Sequence, residues 1–507
     1  MKNYKIIIVV IILLLAGGVG YYFISKYDST IPQSAVKNAT KYDGNKTTIN
    51  LDDLTYDGTG LSIENNTIYI VYGGTYELSG TTEANIVIET IDEEDVYLIF
   101  NGVSITSEEA PIYISQGDVY ITLEDGTTNY IEYTKKYSET EEIDGAIYAS
   151  DDLVIDGTGS LEVKSTYDGI VSKDTLTIEN GTYVINASDD GIRGKDILTI
   201  NNGNFEITSG GDALKSTNDT DAELGNIIIN GGTFEITASG DGIAANTNVT
   251  IVDGTFNIKT GNGYTATSKA GDFGMWNNTT NKDSNDESIK GIKAGNLITI
   301  SGGTFTLNTE DDGIHSNGNI TISGGKFTIS STDDAIHADG LVEINGGEFT
   351  ITASEGIEAT YVKINDGNIT IDATDDGINA GNKSNSYSTT VEINGGNVTI
   401  KMASGDTDGI DSNGNLYING GTINITCNSP FDYDGEAKYN GGTLIVNGSQ
   451  TTSITNQMMG GQMGGMQGNM NMAPQEGTQD NMPQGNMNRG MQENGQNNMQ
   501  QGRGGRR

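Results

Sequence analysis

The stretch TEDDGIHSNGNITISGGKFTISSTDDAIHADG, residues 309–340, contains one sequence unit twice and decides the fold. Each copy has an acidic pair, a small residue, Ile and His, and the first copy is followed by a Gly-Gly turn that leads into alternating apolar and polar residues. Alternation with a period of two is typical of β-strands, and paired glycines are typical of tight turns. The stretch therefore predicts short strands separated by turns at a fixed interval.

Units of this kind recur through most of the chain, most often every 22 residues. The acidic position of the unit is held by Asp144, Asp168, Asp190, Asp212, Asp241, Asp312, Asp334, Glu355, Asp376 and Asp408, with Lys290 as the one departure. Such a unit is too short for a propeller blade and suits one coil of a parallel β-helix, in which coils pair at about 4.8 Å. We expect an all-β, right-handed parallel β-helix of roughly a dozen or more coils.

The ends of the chain differ from this repeat. Lys2 and Lys5 precede an apolar run, residues 6–24, which predicts a transmembrane anchor or a signal segment over residues 1–26 and an extracellular, cell-surface or secreted body. A linker (27–44), N-terminal β coils or a cap (45–140) and the repeat β-helix (141–450) follow. Residues 451–507 are rich in Gln, Asn, Gly and Met and predict a disordered tail.

The composition excludes some classes of protein. With 69 acidic against 27 basic residues and a net charge of −42, the chain would be repelled by the phosphate backbone of a nucleic acid. The single Cys427 excludes an internal disulfide, so core packing and metal ions are the remaining sources of stability.

If each unit forms one coil, the acidic residues align in a column. Carboxylates about 4.8 Å apart repel by ~0.9 kcal/mol in bulk water and by more at a protein surface, so the column needs cations. Oxygen ligands without a His or Cys cluster favour Ca²⁺. The predicted metal ligands are Asp189, Asp190, Asp212, Asp241, Asp311, Asp312, Asp333, Asp334, Glu355, Asp375, Asp376 and Asp408. The alternative is ordinary Asp-Gly turn chemistry, with each Asp bonded to its own backbone.

A second column, three residues after the acidic position, is partly basic. It contains Arg193, Lys215, Lys293, His315 and His337, interrupted by Ala244, and Lys290 stands beside it. These side chains could bind carboxylates of an acidic glycan or neutralise the neighbouring acids. Insertions at 216–225, 261–289 and 381–390 interrupt the chain next to the acid turn, and Trp276 in the longest could stack on a sugar ring or pack its own insertion.

The order of these motifs resembles one known family. Asp189-Asp-Gly-Ile, Lys290-Gly-Ile-Lys, Asp311-Asp-Gly-Ile-His, Asp333-Asp-Ala-Ile-His and Asp375-Asp-Gly-Ile-Asn-Ala are similar to the bacterial carbohydrate-binding domain family of calcium-binding parallel β-helices, over about residues 45–450. That family is similar in structure to family 9 polysaccharide lyases and is associated with plant cell-wall polysaccharides such as polygalacturonate and cellulose. The resemblance implies that the double-acid turns are calcium ligands.

Three functions follow as hypotheses. The first is an extracellular, calcium-dependent polysaccharide-binding protein without catalytic residues, for acidic plant cell-wall (pectin-type) glycans. The second is a pectate-type lyase, in which Ca²⁺ acidifies a proton beside a uronate carboxylate and Lys215, Lys290 or Lys293 removes it. The third is a structural surface or adhesion protein with no glycan affinity. We expect the first, without lyase turnover.

Overall fold

The computed structural model describes residues 30–138, 140–266, 288–404 and 407–456, together with the backbone of two strands nearer the N-terminus. Those strands, Ile7–Leu15 and Gly18–Lys26, pair antiparallel. The membrane-spanning helix predicted for this apolar run is therefore not found. The run is rich in Ile and Val, whose branched side chains favour strands. Of the helices in the described part of the chain, none is apolar and long enough to cross a membrane.

Parallel strands from successive coils form three sheets around one core. Gly145–Ala149, for example, pairs with Asp168–Ser172 of the next coil, and each sheet continues in this way. The predicted all-β solenoid is confirmed, while its handedness stays a prediction.

Sheet A follows the turn that carries the acidic position of each unit, which we call the acid turn. Its strands are Thr67–Ile70, Asn85–Glu89, Ile112–Gln116, Gly145–Ala149, Asp168–Ser172, Ile192–Gly194, Leu214–Ser216, Ile243–Ala245, Ile292–Ala294, Ile314–Ser316, the first parts of Asp334–Ile344 and Glu355–Ile364, then Ile378–Ala380, Asp408–Ser412 and Ser429–Tyr433.

Sheet B comes next along each coil. Its strands are Thr47–Asn50, the first parts of Gly74–Thr82 and Val96–Ser107, then Val119–Leu123, Leu153–Gly157, Thr175–Ile178, Ile197–Ile200, Asn226–Ile229, Asn248–Ile251, Leu297–Ile300, Asn319–Ile322, the ends of Asp334–Ile344 and Glu355–Ile364, Thr390–Ile393, Asn415–Ile418 and Ala437–Tyr439.

Sheet C completes the coil and leads to the next acid turn. Its strands are the ends of Gly74–Thr82 and Val96–Ser107, then Thr128–Tyr133, Ser160–Ser165, Thr182–Ala187, Asn204–Ser209, Thr233–Ala238, Thr255–Thr260, Thr304–Thr309, Lys326–Ser331, Glu348–Ala353, Asn368–Ala373, Asn397–Met402, Thr422–Thr426 and Thr443–Val446.

Short elements flank the first and last coils. The helix Gln33–Asn38 packs near the first coils, where Ala35 and Val87 share a small buried cluster. Thr55–Asp57, Leu61–Glu64 and Ser449–Thr451 pair antiparallel with their neighbours. Antiparallel strands and a helix at the ends limit further pairing of the sheet edges, as terminal units of a solenoid must.

Identical side chains stack inside the coils because the register between coils is constant. Phe305 lies between Phe256 and Phe327, with ring centroids 4.8 and 4.6 Å away and the rings nearly parallel. The stack continues from Tyr183 to Phe349. The second glycine of each Gly-Gly turn shapes the corner before sheet C, and Gly325 has a φ of +109°, which favours glycine.

Candidate functional site

The acidic residues align at the corner between sheets C and A, and we call this series the acid ladder (Asp168, Asp190, Asp212, Asp241, Asp312, Asp334, Glu355, Asp376 and Asp408). One carboxylate oxygen, Oδ1, accepts the backbone N–H of the acid position in the next coil. The N···O distances are 2.9 Å for Asp168 to residue 190, 2.9 Å for Asp190 to 212, 2.7 Å for Asp212 to 241, 2.6 Å for Asp241 to 290, 3.1 Å for Asp312 to 334 and 3.1 Å for Asp376 to 408.

The ladder differs from the turn chemistry considered as an alternative, since each of these bonds goes to the next coil. The carboxylates are also buried: Asp241 is 1% exposed and Asp312 3%. A carboxylate that accepts a backbone N–H in a buried place is held firmly, so Oδ1 connects coils, and Oδ2 remains for a cation.

The glycine after the acid permits this close stacking. A Cβ on Gly313 would lie 2.6 Å from the carbonyl oxygen of residue 335 in the next coil. Its role is close backbone approach, and it has no positive φ of the kind seen at Gly325.

One outward-pointing residue of each strand in sheet A lies in register with that of the next coil, and together these residues form a column that we call the outer column. In order it contains Tyr69, Val87, Tyr113, Tyr148, Val171, Arg193, Lys215, Ala244, Lys293, His315, His337, Glu358, Asn379, Asp411 and Asp432. The predicted basic run is thus in register. The column changes from apolar to basic, to imidazole and then to acidic along the helix axis.

The basic part of the outer column neutralises the ladder. Arg193 Nη2 lies 2.7 Å from Asp144 and 2.5 Å from Asp168, which belong to the two preceding coils. Lys215 Nζ lies 3.0 Å from Asp190 Oδ2 and 2.9 Å from Asp212 Oδ2.

Two further lysines continue this neutralisation. Lys293 Nζ lies 3.3 Å from Asp241. Lys290, which occupies the acid position, extends its ammonium to the next coil and lies 2.7 Å from Asp311 Oδ2 and 2.8 Å from Asp312 Oδ2. These contacts agree with the second of the two roles predicted for the basic residues, while glycan contact by the same side chains stays a prediction.

These contacts keep the lysines charged. Burial alone would lower the pKa of Lys215, but the Asp190 and Asp212 carboxylates outweigh it and raise that pKa. Burial likewise opposes the charge of Lys290, and Asp312 and Asp311 raise its pKa above the ordinary value. A lysine in this state is a poor proton acceptor at neutral pH.

The two histidines follow the lysines on consecutive coils. His315 Nδ1 lies 2.7 Å from Asp312 Oδ2, and His337 Nδ1 lies 2.7 Å from Asp334 Oδ2. Glu358 Oε2 is 3.3 Å from His337 Nδ1 on the other side. Burial lowers the pKa of His337 below its ordinary value, more than the Asp312 and Glu358 carboxylates raise it. Burial therefore disfavours the charged form of the ring.

After the histidines, carboxylates accumulate in what we call the carboxylate segment (Glu355, Glu358, Asp375, Asp376, Asp408 and Asp411). Burial and the nearby Glu355 raise the pKa of Asp376 to about 8. Burial and Glu358 raise the pKa of Glu355 to about 7, and burial and Asp408 raise the pKa of Asp411 to about 6. Lys383, from the insertion at 381–390, reaches Glu358 at 2.6 Å. This part of the site combines many carboxylates with few cations of its own.

The remaining predicted ligands fall into two groups. Asp189 shares a cluster with Asp168 and Asp190, in which ligand oxygens lie within 4.8 Å of one another. Asp333 shares a similar cluster with Asp311 and Asp312.

Trp276 and residues 267–287 of its insertion lie outside the described residues.

The predicted set of site residues left out several that the structure places in the site. Asp144 contacts Arg193, Glu358 contacts His337, and Asn379 donates to Glu355. Lys383 pairs with Glu358, and Asp411 lies in register with Asn379. All but Lys383 lie in one of the two columns. The signal for these four was available, because the columns continue beyond the residues that were chosen. Lys383 had no such signal, because it lies in an insertion.

The structure allows a test of which acids fit Ca²⁺. Asp190, Asp212, Asp241 and Asp312 each use Oδ1 for a backbone N–H and have a basic side chain at the other oxygen. That leaves little room for Ca²⁺, which takes six to eight oxygen ligands. The carboxylate segment fits better, since its donors are oxygens. Burial and, after it, the neighbouring carboxylates raise the pKa values of Asp376 and Glu355, so their charges lack compensation within the protein.

The comparisons with known proteins agree with the motif resemblance. A family model described as "Carbohydrate-binding domain-containing protein" matches residues 64–335, 318–359 and 331–458. A protein of that same description from Acetivibrio thermocellus is 33% identical over 130 residues, which are 24% of this chain and 46% of the relative. The chain thus matches about half the length of that relative.

A solved structure provides a second comparison. It is described as a gadolinium derivative of a polysaccharide lyase-like protein from C. thermocellum, and it is 31% identical, with a TM-score of 0.40, over 43% of this chain and 91% of that chain. The family model covers most of the coils that carry the acid ladder and the outer column. The chain belongs to the family of carbohydrate-binding domain-containing proteins.

Proposed function

We propose that this protein binds an acidic polysaccharide through calcium ions held by the carboxylate segment. The observation that carries the proposal is the change along the outer column from Arg193 and Lys215 to Glu358 and Asp411. Internal ion pairs neutralise the first half of the site, whereas the second half presents buried carboxylates with raised pKa values.

The charge of the chain gives calcium a specific role. With a net charge of −42, the protein would repel a polyuronate. Ca²⁺ takes six to eight oxygen ligands in flexible geometry, so an ion bound by Asp376 and its neighbours can also accept carboxylates of a glycan. The ion is then the bridge, and affinity for an acidic glycan depends on it.

An extracellular location is part of the same proposal. Extracellular modules commonly bind calcium weakly, with dissociation constants of about 10⁻⁴–10⁻³ M, and a partly solvated carboxylate site suits that range.

We propose further that the protein is not a lyase. Elimination needs a neutral base beside the uronate, and Lys215 and Lys290 are each held between two carboxylates that keep them protonated. Incubation with polygalacturonate and Ca²⁺ should give no unsaturated uronide by ultraviolet absorbance. Steady product formation that Lys215→Ala or Lys293→Ala abolishes would establish the enzymatic alternative.

A glycan array with and without calcium tests the binding proposal. Polygalacturonate should be retained with Ca²⁺ and released by chelator, and neutral glycans should show no such dependence. Retention that is unchanged in chelator would refute the calcium bridge, and no retention of any glycan would favour a structural surface protein.

A further inference from the structure

The histidines of the outer column form a cluster with a different ligand chemistry. The chain has 2 histidines in total, and they lie on consecutive coils with ring centroids 4.8 Å apart. Asp312 Oδ2 is 2.7 Å from His315 Nδ1 and 4.0 Å from His337 Nδ1. Asp312, His315 and His337 each offer a ligand atom within 4.8 Å of the others, and so do Asp334, His337 and Glu358.

The tautomer of His315 suits a metal ligand. Its Nε2 lies 3.0 Å from Asn317 Oδ1, an acceptor, so Nε2 carries the proton. In the metal-free protein Nδ1 donates to Asp312 Oδ2 at 2.7 Å, so a metal ion bound between these two atoms would replace the Nδ1 proton and leave the ring protonated at Nε2 alone. A metal-bound histidine almost always donates its other ring N–H to a fixed acceptor, and Asn317 is that acceptor here.

His337 has the complementary feature. Its Nε2 is buried and has no hydrogen-bond partner among the described residues, although Asp339 Oδ1 lies 3.6 Å away. A cation at Nδ1 would move the ring proton to Nε2, and a small ring rotation would let that N–H donate to Asp339. Metal binding would therefore give His337 Nε2 a hydrogen-bond partner.

The spacing of the donors also fits. Four ligands of a tetrahedral ion with bonds of 2.0–2.1 Å lie about 3.3 Å apart. The carboxylate oxygens of Asp334, Glu358 and Asp312 lie 2.7, 3.3 and 4.0 Å from His337 Nδ1, which brackets that value.

We propose that His315, His337 and Asp312, with Asp334 or Glu358 as the fourth ligand, bind a divalent transition metal of the zinc class. Two imidazoles with carboxylates select such an ion over Ca²⁺, which takes oxygen ligands. Lys290 and Lys383 contact Asp312 and Glu358, so three carboxylates face two ammonium groups and the cluster keeps a net negative charge for the incoming dication. The inference does not rest on the proposed glycan function, and it shares only Glu358 with the carboxylate segment.

The test is a titration of the metal-stripped full chain with Zn²⁺ in excess Ca²⁺, followed by NMR of the histidine ring C–H groups. Because the chain has 2 histidines, the spectrum has two sets of such signals, a Cδ2–H and a Cε1–H from each ring, and both sets lie in the proposed site. Both should shift together and reach an end point at one equivalent of Zn²⁺. Calorimetry on the same samples gives the affinity.

Three variants make the result specific. His337→Gln should weaken Zn²⁺ binding by at least about 100-fold, and Asn317→Ala, which removes only the acceptor of His315, by roughly 10-fold with the same stoichiometry. Cys427→Ser is the control for the thiol and should bind as the parent protein does. Circular dichroism before titration shows whether each variant is folded.

Three results would overturn the proposal. One is Zn²⁺ binding at one equivalent that leaves the signals of both histidines unmoved. Another is full displacement of Zn²⁺ by Ca²⁺ at comparable concentration, which would show a site of oxygen donors alone. No heat of binding in a protein with resolved histidine signals would count equally against it.

Discussion

The ammonium of Lys290 lies between Asp311 and Asp312, 2.8 Å from Asp312 Oδ2, where the repeat brings two carboxylates of the next coil together. Its own backbone N–H meanwhile donates to Asp241, as an acid at that position would do. Lys290 stands where the repeat otherwise has an acid. Its backbone preserves the hydrogen bonds of the acid ladder, and its side chain supplies an internal cation to the coil that follows.

Replacing Lys290 should make that coil depend on calcium. Lys290→Gln removes one partner of a buried pair and should lower the free energy of unfolding by about 3 kcal/mol in chelator. Added Ca²⁺ should recover part of the loss, since it can replace the missing cation. Urea unfolding with and without Ca²⁺ measures both effects.

The control is Lys326→Gln, which removes an exposed lysine 3.4 Å from Glu348 and should cost less than about 1 kcal/mol. Equal losses in the two variants would show that the position of Lys290 is not special.

Calcium should stabilise the parent protein. Because a ligand that binds only the folded state adds RT ln(1 + [L]/Kd), calcium at about 100 times its dissociation constant should add ~2.7 kcal/mol. Differential scanning calorimetry should show a higher Tm in calcium than in chelator. Identical curves would argue against calcium in the carboxylate segment.

The free energy of unfolding of the calcium-free protein should decrease as the pH rises. Asp376 has a pKa of about 8 and Glu355 about 7 in the folded protein, both above their ordinary values. The folded state therefore binds more protons than the unfolded state between about pH 4 and 8, and the free energy of unfolding falls as the pH rises through that range. Because of these two carboxyl groups, the Tm measured in metal-stripped buffer should be lower at about pH 8 than at about pH 5. Saturating Ca²⁺ should reduce the difference. A Tm that rises over that interval would contradict the assignment.

Two substitutions in the carboxylate segment should separate binding from folding. Glu355→Gln with Asp376→Asn replaces two buried carboxyl groups whose charged forms are disfavoured by burial and by each other, so the calcium-free protein should not lose stability. Its affinity for Ca²⁺ should fall by at least about tenfold, and calcium-dependent retention of polygalacturonate should fall with it.

Asp372→Asn is the matched control for this pair, because Asp372 lies in the preceding strand of sheet C, is 53% exposed and pairs with Lys401. If the double variant is folded and still binds polygalacturonate with the same calcium response, the glycan site lies elsewhere.

The aromatic stack should dominate the stability of the middle coils. Phe305 is 1% exposed and lies between two other phenylalanines, so Phe305→Ala should cost about 3–5 kcal/mol. Phe305→Leu keeps most of the volume and should cost clearly less. Guanidinium unfolding measures the free energy of unfolding of both variants. Equal losses of stability would mean that the cavity left by the ring is not the main cause of the loss.

The sequence by itself determined the coil and its columns. The 22-residue unit from Asp312 to Asp334 repeats both its turns and its period-two strands, so equal coil lengths place equal residues in register. The pairing of His315 with His337 and of Phe305 with Phe327 follows directly from that repeat. These features could be predicted because the information is local and recurs along the chain.

Only the tertiary structure decided where the charges go. A carboxylate such as Asp312 has two oxygens, and which one meets the N–H of residue 334 or the ammonium of Lys290 depends on groups that lie opposite it in other coils. Long side chains also reach past their own coil, as Arg193 does to Asp144, and an insertion can return, as Lys383 does to Glu358. The repeat fixes backbone register, but side-chain reach and competition among neighbouring charges are set only when all the coils are in place.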